Sequence, residues 1–283
     1  MPASPKPRPA SSATAATGRT RLVRGGGSGL TPAHAIPARP APVTALAGLL
    51  HGLARRLGRP DAREPGAVNH VSLGAHCHMA EVLKRTGLRG WSGPFDWIFS
   101  GPGMVRDCLA DDFAALLDRA QYESTPLDAR PAPHQSSCRH RLYAERHAIP
   151  FVFNHHDPAT SEADYRFLAE GVRRLRTALA DGGARNRFYL LATLPPDAGV
   201  VTDLCDRLAT FGARNHLSLI EAVPGADAPG VAACPAPRPN LTWVRLATRS
   251  ASTGVRFADP ADDRLLEAAV RDLAAAPDAA RPD

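Results

Sequence analysis

The chain has 283 residues, room for one large domain or two small ones, and a formal charge of +6 that sits at one end. Residues 1–60 hold nine Lys or Arg and no acid, while the remaining 25 basic residues face 28 acidic ones. Because 32 of the 34 basic residues are Arg in an Ala-, Pro- and Gly-rich chain, and no basic patch is interleaved with aromatics, the charge argues for composition bias and against a nucleic-acid partner.

Residues 1–65 form the first segment, a basic Pro/Ala/Arg-rich tail expected to be disordered, since residues 1–43 cannot bury enough apolar surface to offset chain entropy. Within it, Leu46, Leu49, Leu50, Leu53 and Leu57 recur at helical spacing. Such a stripe suits docking on the chain's own domain better than a membrane surface. Residues 66–276 carry the domain. "NHVSLG" predicts a strand, and Met79, Val82 and Leu83 the buried face of a helix stopped by Gly87. Met104 to Asp118 predicts a helix, and 119–148 a polar, loop-rich stretch. "IPFVFNH" predicts a strand, followed by a helix from Ser161 with Asp164 in a variant capping box and Tyr165, Leu168, Val172, Leu175 and Leu179 as its buried stripe. "RFYLLATL" is a strand, Val201–Phe211 a helix, "HLSLIEAV" and "LTWVRLAT" strands, and Asp262–Ala275 the last helix before a frayed end at 277–283. The alternation predicts an α/β fold: a mostly parallel sheet of about five strands flanked by helices, with ligands beyond the carboxyl ends of the strands.

The five cysteines are odd in number and include no C-x-x-C pair, which reads as free thiols in a reducing, cytoplasmic setting. No apolar run approaches the ~20 residues of a membrane span, so no integral membrane segment is expected. Cys77 follows the first strand and opens a helix, where unpaired N–H groups favour a thiolate and can receive an oxyanion. That placement predicts a lowered thiol pKa and a nucleophile. Its neighbours His76 and His78 do not share its face of the helix. His155 and His156, at the carboxyl end of "FVFNHHD", are better bases if that strand runs parallel to the first, and the residues alone leave the two open. Asp96, between Phe95 and Trp97 in "GPFDW", suits either a site-lining loop or a structural corner.

His76, Cys77, His78, His155, His156 and Asp157 include zinc-ligand types, yet three consecutive residues are a poor spacing for a tetrahedral site, and no metal is expected. The serine-hydrolase elbow, the P-loop and the dinucleotide fingerprint are absent, so no cofactor is expected either.

"SLGAHC", "GLRGWSGPFDWIF" and "FNHHD" together resemble a bacterial family of unknown function classed with papain-like cysteine peptidases, over roughly Val68 to Leu194 and most specifically Ser72 to Phe99. The resemblance implies Cys77 as nucleophile, His156 as base and Asp157 or Asp96 as the orienting acid, with Asp96 and Trp97 in a substrate-binding corner. It implies a peptide or acyl substrate. The alternatives are a non-catalytic accessory domain and a zinc-dependent enzyme. Papain's own surroundings of the cysteine are missing, and the strand–helix alternation differs from the papain sheet.

Overall fold

A computed structural model describes residues 68–130, 132, 135–211 and 214–277. The expected tail at 1–65, its leucine stripe and nearly all of the frayed end lie outside the described residues.

The core is a five-stranded sheet in the order β1 (Val68–Ser72), β4 (Arg185–Ala192), β5 (Arg214–Pro224), β7 (Leu241–Thr248) and β6 (Gly230–Cys234). The first four are parallel, and β6 pairs antiparallel with β7 at the edge. A separate short ladder joins β2 (Tyr122–Glu123) to β3 (Arg139–His140). The helices are α1 (Cys77–Arg85), α2 (Pro102–Ala110), α3 (Ala114–Leu117), α4 (Arg141–His147), α5 (Glu162–Ala180), α6 (Ala198–Ala209) and α7 (Pro260–Ala275). This is the α/β, mostly parallel, helix-flanked sheet that the alternation of periods predicts.

Both faces of the sheet are covered, and the period of two sorts the strand residues between them. On β4, Phe188, Leu190 and Ala192 join one cluster with residues of α2, α5 and α6, while Tyr189 and Leu191 join the other with α1 and α7. β5 divides the same way, Leu217 and Leu219 against Ile220 and Ala222. The chain therefore leaves β1 toward one face (α1) and β4 toward the other (α6). Diverging connections of this kind open a crevice above the carboxyl ends of the strands.

A polar ladder crosses the amino-terminal end of the sheet. Asn69, Asn186 and Asn215 stand in register on β1, β4 and β5, all buried. Asn69 Nδ2 donates to Asn186 Oδ1 at 2.7 Å, and Asn186 Nδ2 donates to Asn215 Oδ1 at 2.8 Å. Asn186 Nδ2 also reaches the Ala178 carbonyl, and Asn215 Nδ2 the Leu208 carbonyl, which satisfies carbonyls in the last turns of α5 and α6.

Three expectations are corrected. "IPFVFNH" is no strand of the sheet; it makes only isolated bridges, Phe153 to Ile98 and to Cys138. Val152 and Phe153 are buried in the core cluster, an apolar pattern that periodicity cannot tell from a strand. The fifth strand is instead β6, whose short "GVAAC" at an exposed edge shows no apolar–polar alternation. The helix expected over 104–118 breaks at Asp112 and Phe113, both at positive φ, into α2 and α3, and the loop expected over 119–148 contains α4.

Candidate functional site

Cys77 is placed by a tight crossing. Beyond β1, Leu73 N–H donates to Tyr189 O and Ala75 N–H to Leu191 O, continuing the pairing with β4. Ser100 crosses over this stretch, its N–H donating to Ala75 O and its hydroxyl to Leu73 O. Gly74 has φ +99°, and a Cβ there would sit 1.8 Å from Ser100 Oγ, so glycine alone fits. His76 then caps α1 in extended backbone without a side-chain hydrogen bond, and Cys77 is the first helical residue. No acid occupies the first turn.

Cys77 is 8% exposed. Burial pushes its pKa up, its own backbone N–H opposes that, and the Glu81 and Asp96 carboxylates push it further up. The lowered thiol pKa expected from the helix terminus is thus not what the structure holds, because desolvation outweighs the local dipole.

His78, fully buried, locks α1 to the rest of the fold: its Nε2 meets Asp263 Oδ1 and its Nδ1 meets Ser252 Oγ, both at 2.9 Å. Burial lowers its pKa, Asp263 opposes that, and Arg85 lowers it further. His76 is 9% exposed, and neither of its ring nitrogens makes a hydrogen bond among the described residues. Burial and the adjacent His78 bring its pKa down to about 4, against a smaller opposing effect of the Gly254 backbone, which lies near the ring without good hydrogen-bond geometry. Its ring meets Phe99 edge-on, with centroids 6.3 Å apart.

Asp96 is 1% exposed and bonded to Arg89 at 3.2 Å. Burial raises its pKa to about 7, against the pull of the Arg89 guanidinium and the Gly93 backbone. Arg89 also stacks over Trp97 at 5.2 Å. Pro94 backbone packs so closely on α5 that only Gly171 fits beneath it. The "GPFDW" segment is therefore a corner held by Arg89 and α5, and Asp96 bonds no imidazole.

His156 is paired with an acid of α5. Its Nδ1 meets Asp164 Oδ1 at 2.9 Å, and its ring stacks on Phe167 at 5.2 Å. Asp164 also accepts the Asp157 N–H, at 2.8 Å. Burial pushes Asp164 up, but the bonds from His156 and that N–H bring it below the usual aspartate value. Asp157 turns away: its carboxylate meets the Ser124 hydroxyl and Arg130 at 3.2 Å. His155 sits beside Asn154, whose side chain meets its Nε2 at 3.2 Å. Among the described residues no hydrogen bond joins Cys77 to an imidazole. Between the stretches that carry Cys77 and His156 runs 98–100, bonded to one through Ser100 and to the other through Phe99 N–H and Val152 O.

Residues 68–177 match the family model described as "Putative papain-like cysteine peptidase (DUF1796)". That is the family which the Ser72–Phe99 motifs resemble. Neither the curated proteins nor the solved structures returned a match. The matched span runs from β1 into α5 and includes Cys77, Asp96, His156 and Asp164; β4 and everything after it lie beyond.

Two features escaped the sequence reading. Asp164 was legible only as a helix cap, a role it keeps by donating its N–H to Ser161 Oγ, while its carboxylate turns back to the preceding loop. The second is a cavity of about 330 Å³ above the ends of β4, β5 and β7. His76 and Phe99 contribute to it from the matched span, and the 250–254 loop and Phe257 close it from beyond. Cys77 is not among its walls. Among the described residues no group of three His, Cys, Asp or Glu side chains could hold a metal ion, and no helix is long and apolar enough to cross a membrane.

Proposed function

We propose that the domain is a thiol hydrolase or acyl transferase of the papain-like cysteine peptidase kind, with Cys77 as nucleophile, His156 as base and Asp164 as the acid that orients it. The observation that carries this reading is the His156–Asp164 hydrogen bond, which fixes the ring through Nδ1 and leaves Nε2 without a hydrogen bond among the described residues. Cys77 supplies the nucleophile from the first turn of α1, where backbone N–H groups suit a developing oxyanion. The reading requires thiol and imidazole to close in the substrate complex, as catalytic hydrogen bonds commonly do. A non-catalytic binding domain is the second reading, favoured by the burial of Cys77 and its absence from the cavity walls.

Adduct mapping with a peptidyl chloromethyl ketone separates the two. The expected adduct is on Cys77, formed at least about tenfold more slowly in His156→Gln and with a smaller loss in Asp164→Asn. Equal rates in the wild type and His156→Gln, or adducts on Cys234 alone, would retire the dyad.

A further inference from the structure

The cavity lies where diverging connections open a crevice at the carboxyl edge of the sheet, and its walls define what it can hold. Phe99 and Phe257 supply aromatic surface, and no wall residue carries a full charge at neutral pH. Most of its hydroxyls are already engaged. Ser250 donates to Asp262, Ser252 meets His78 and the Gly254 N–H, and Thr253 donates to the Arg256 carbonyl. Two polar groups on the walls remain without a hydrogen bond among the described residues, the Thr193 hydroxyl and the His76 ring.

The rim continues the apolar character. Of the six exposed large hydrophobic residues among those described, Leu194 and Val255 each adjoin a wall residue in sequence. The His76 ring is nine-tenths buried; its Nδ1 is sealed from solvent, which leaves Nε2 as the nitrogen that can meet a ligand in the cavity.

The geometry points to a binding site for an uncharged amide bearing a hydrophobic substituent, the substituent between Phe99 and Phe257 and the amide against His76 and Thr193. An amide offers both a donor and an acceptor, so it serves either tautomer of the neutral ring. A carboxylate or ammonium ion would be desolvated there with no charged group to receive it. The assignment rests on the cavity walls and does not depend on Cys77 being a nucleophile.

The test is ligand-observed NMR titration of full-length Cys77→Ser protein, which removes thiol chemistry, with N-acetylphenylalaninamide, N-acetylphenylalanine and N-acetylglycinamide. The amide with the aromatic side chain is expected to bind at least about tenfold more tightly than the other two. Ala251→Trp, which fills the cavity from an exposed wall position, should abolish binding in a folded protein. His76→Phe should weaken binding about tenfold while leaving the melting temperature unchanged or higher, because it removes an unbonded buried nitrogen. A histidine with only a structural role would lower the melting temperature and leave affinity alone. Binding of N-acetylphenylalanine as tight as the amide, binding that survives Ala251→Trp, or no binding of the aromatic amide at millimolar concentration overturns the assignment. Failure of the Cys77 adduct experiment leaves these outcomes unaffected.

Discussion

Asp96→Asn isolates one buried carboxyl whose charge state touches both stability and the thiol. Asp96 is 1% exposed, and its pKa is raised by burial to about 7 in the folded chain, against ~3.9 for a free aspartate. The folded state therefore holds this proton more tightly than the unfolded state does. Its contribution to stability is full below about pH 4 and is lost as the pH rises through about 7. The gap of roughly 3 pH units, at ~1.4 kcal/mol each, amounts to about 4 kcal/mol in all. About 2 kcal/mol of it falls between pH 5.5 and 8. Asparagine keeps the shape and removes the titration, so the stability of the wild type relative to Asp96→Asn should fall by that amount over this interval. Urea unfolding at the two pH values, followed by the fluorescence of the three tryptophans, measures it. Parallel curves would refute the reasoning. A wild type that gains on the variant as the pH rises would show that the Arg89 ion pair at 3.2 Å outweighs burial. Because a charged Asp96 also pushes the Cys77 thiol up, the variant should alkylate faster at Cys77 above pH 8.

The other predictions follow from packing and exposure. Iodoacetamide at pH 8 should label partly exposed Cys234 first and Cys77 next; Cys108, Cys138 and Cys205, pushed to about 12 chiefly by burial, should label only on unfolding, as peptide mapping would show. Gly74→Ala should cost about 3 kcal/mol, since it adds a Cβ at positive φ against Ser100 Oγ, and Ser100→Ala in the same chain should recover part of that loss in a double-mutant cycle. Asn186→Leu should cost about 3 kcal/mol by chemical denaturation, because it strands the Asn69 and Asn215 side chains and the Ala178 carbonyl together. His78→Leu should lose about 2 kcal/mol, read as a lower melting temperature, by stripping Asp263 and Ser252 of a buried partner.

Local periodicity was enough to reveal the architecture wherever an element is buried on a regular face. The stripe from Leu168 to Leu179, the run of β4 and the buried face of α1 at Met79, Val82 and Leu83 all follow from side-chain spacing, because those energies are set by near neighbours in sequence. Gly87 does take positive φ just past α1, and Ser161 does cap α5. The stretches that carry the family resemblance, too, stand in the sequence as written. What lay beyond it depended on partners far along the chain. Phe151 to His156 carry an apolar pattern that a strand or a packed cover satisfies equally, and the bridges to Ile98 and Cys138 decide for the cover. The helix terminus at Cys77 argues for a low thiol pKa, yet burial beneath the fold and the carboxylates of Glu81 and Asp96 raise it. Asp164, seven residues beyond Asp157, takes the imidazole only because the start of α5 turns its carboxylate back toward His156. The cavity beside His76 is assembled from the end of β5 and the loops after β1, β4 and β7, and no local signal encodes a space that only their convergence forms. Sequence determines the elements through short-range sterics and solvation, whereas desolvation and the pairing of distant side chains exist only once the sheet is formed.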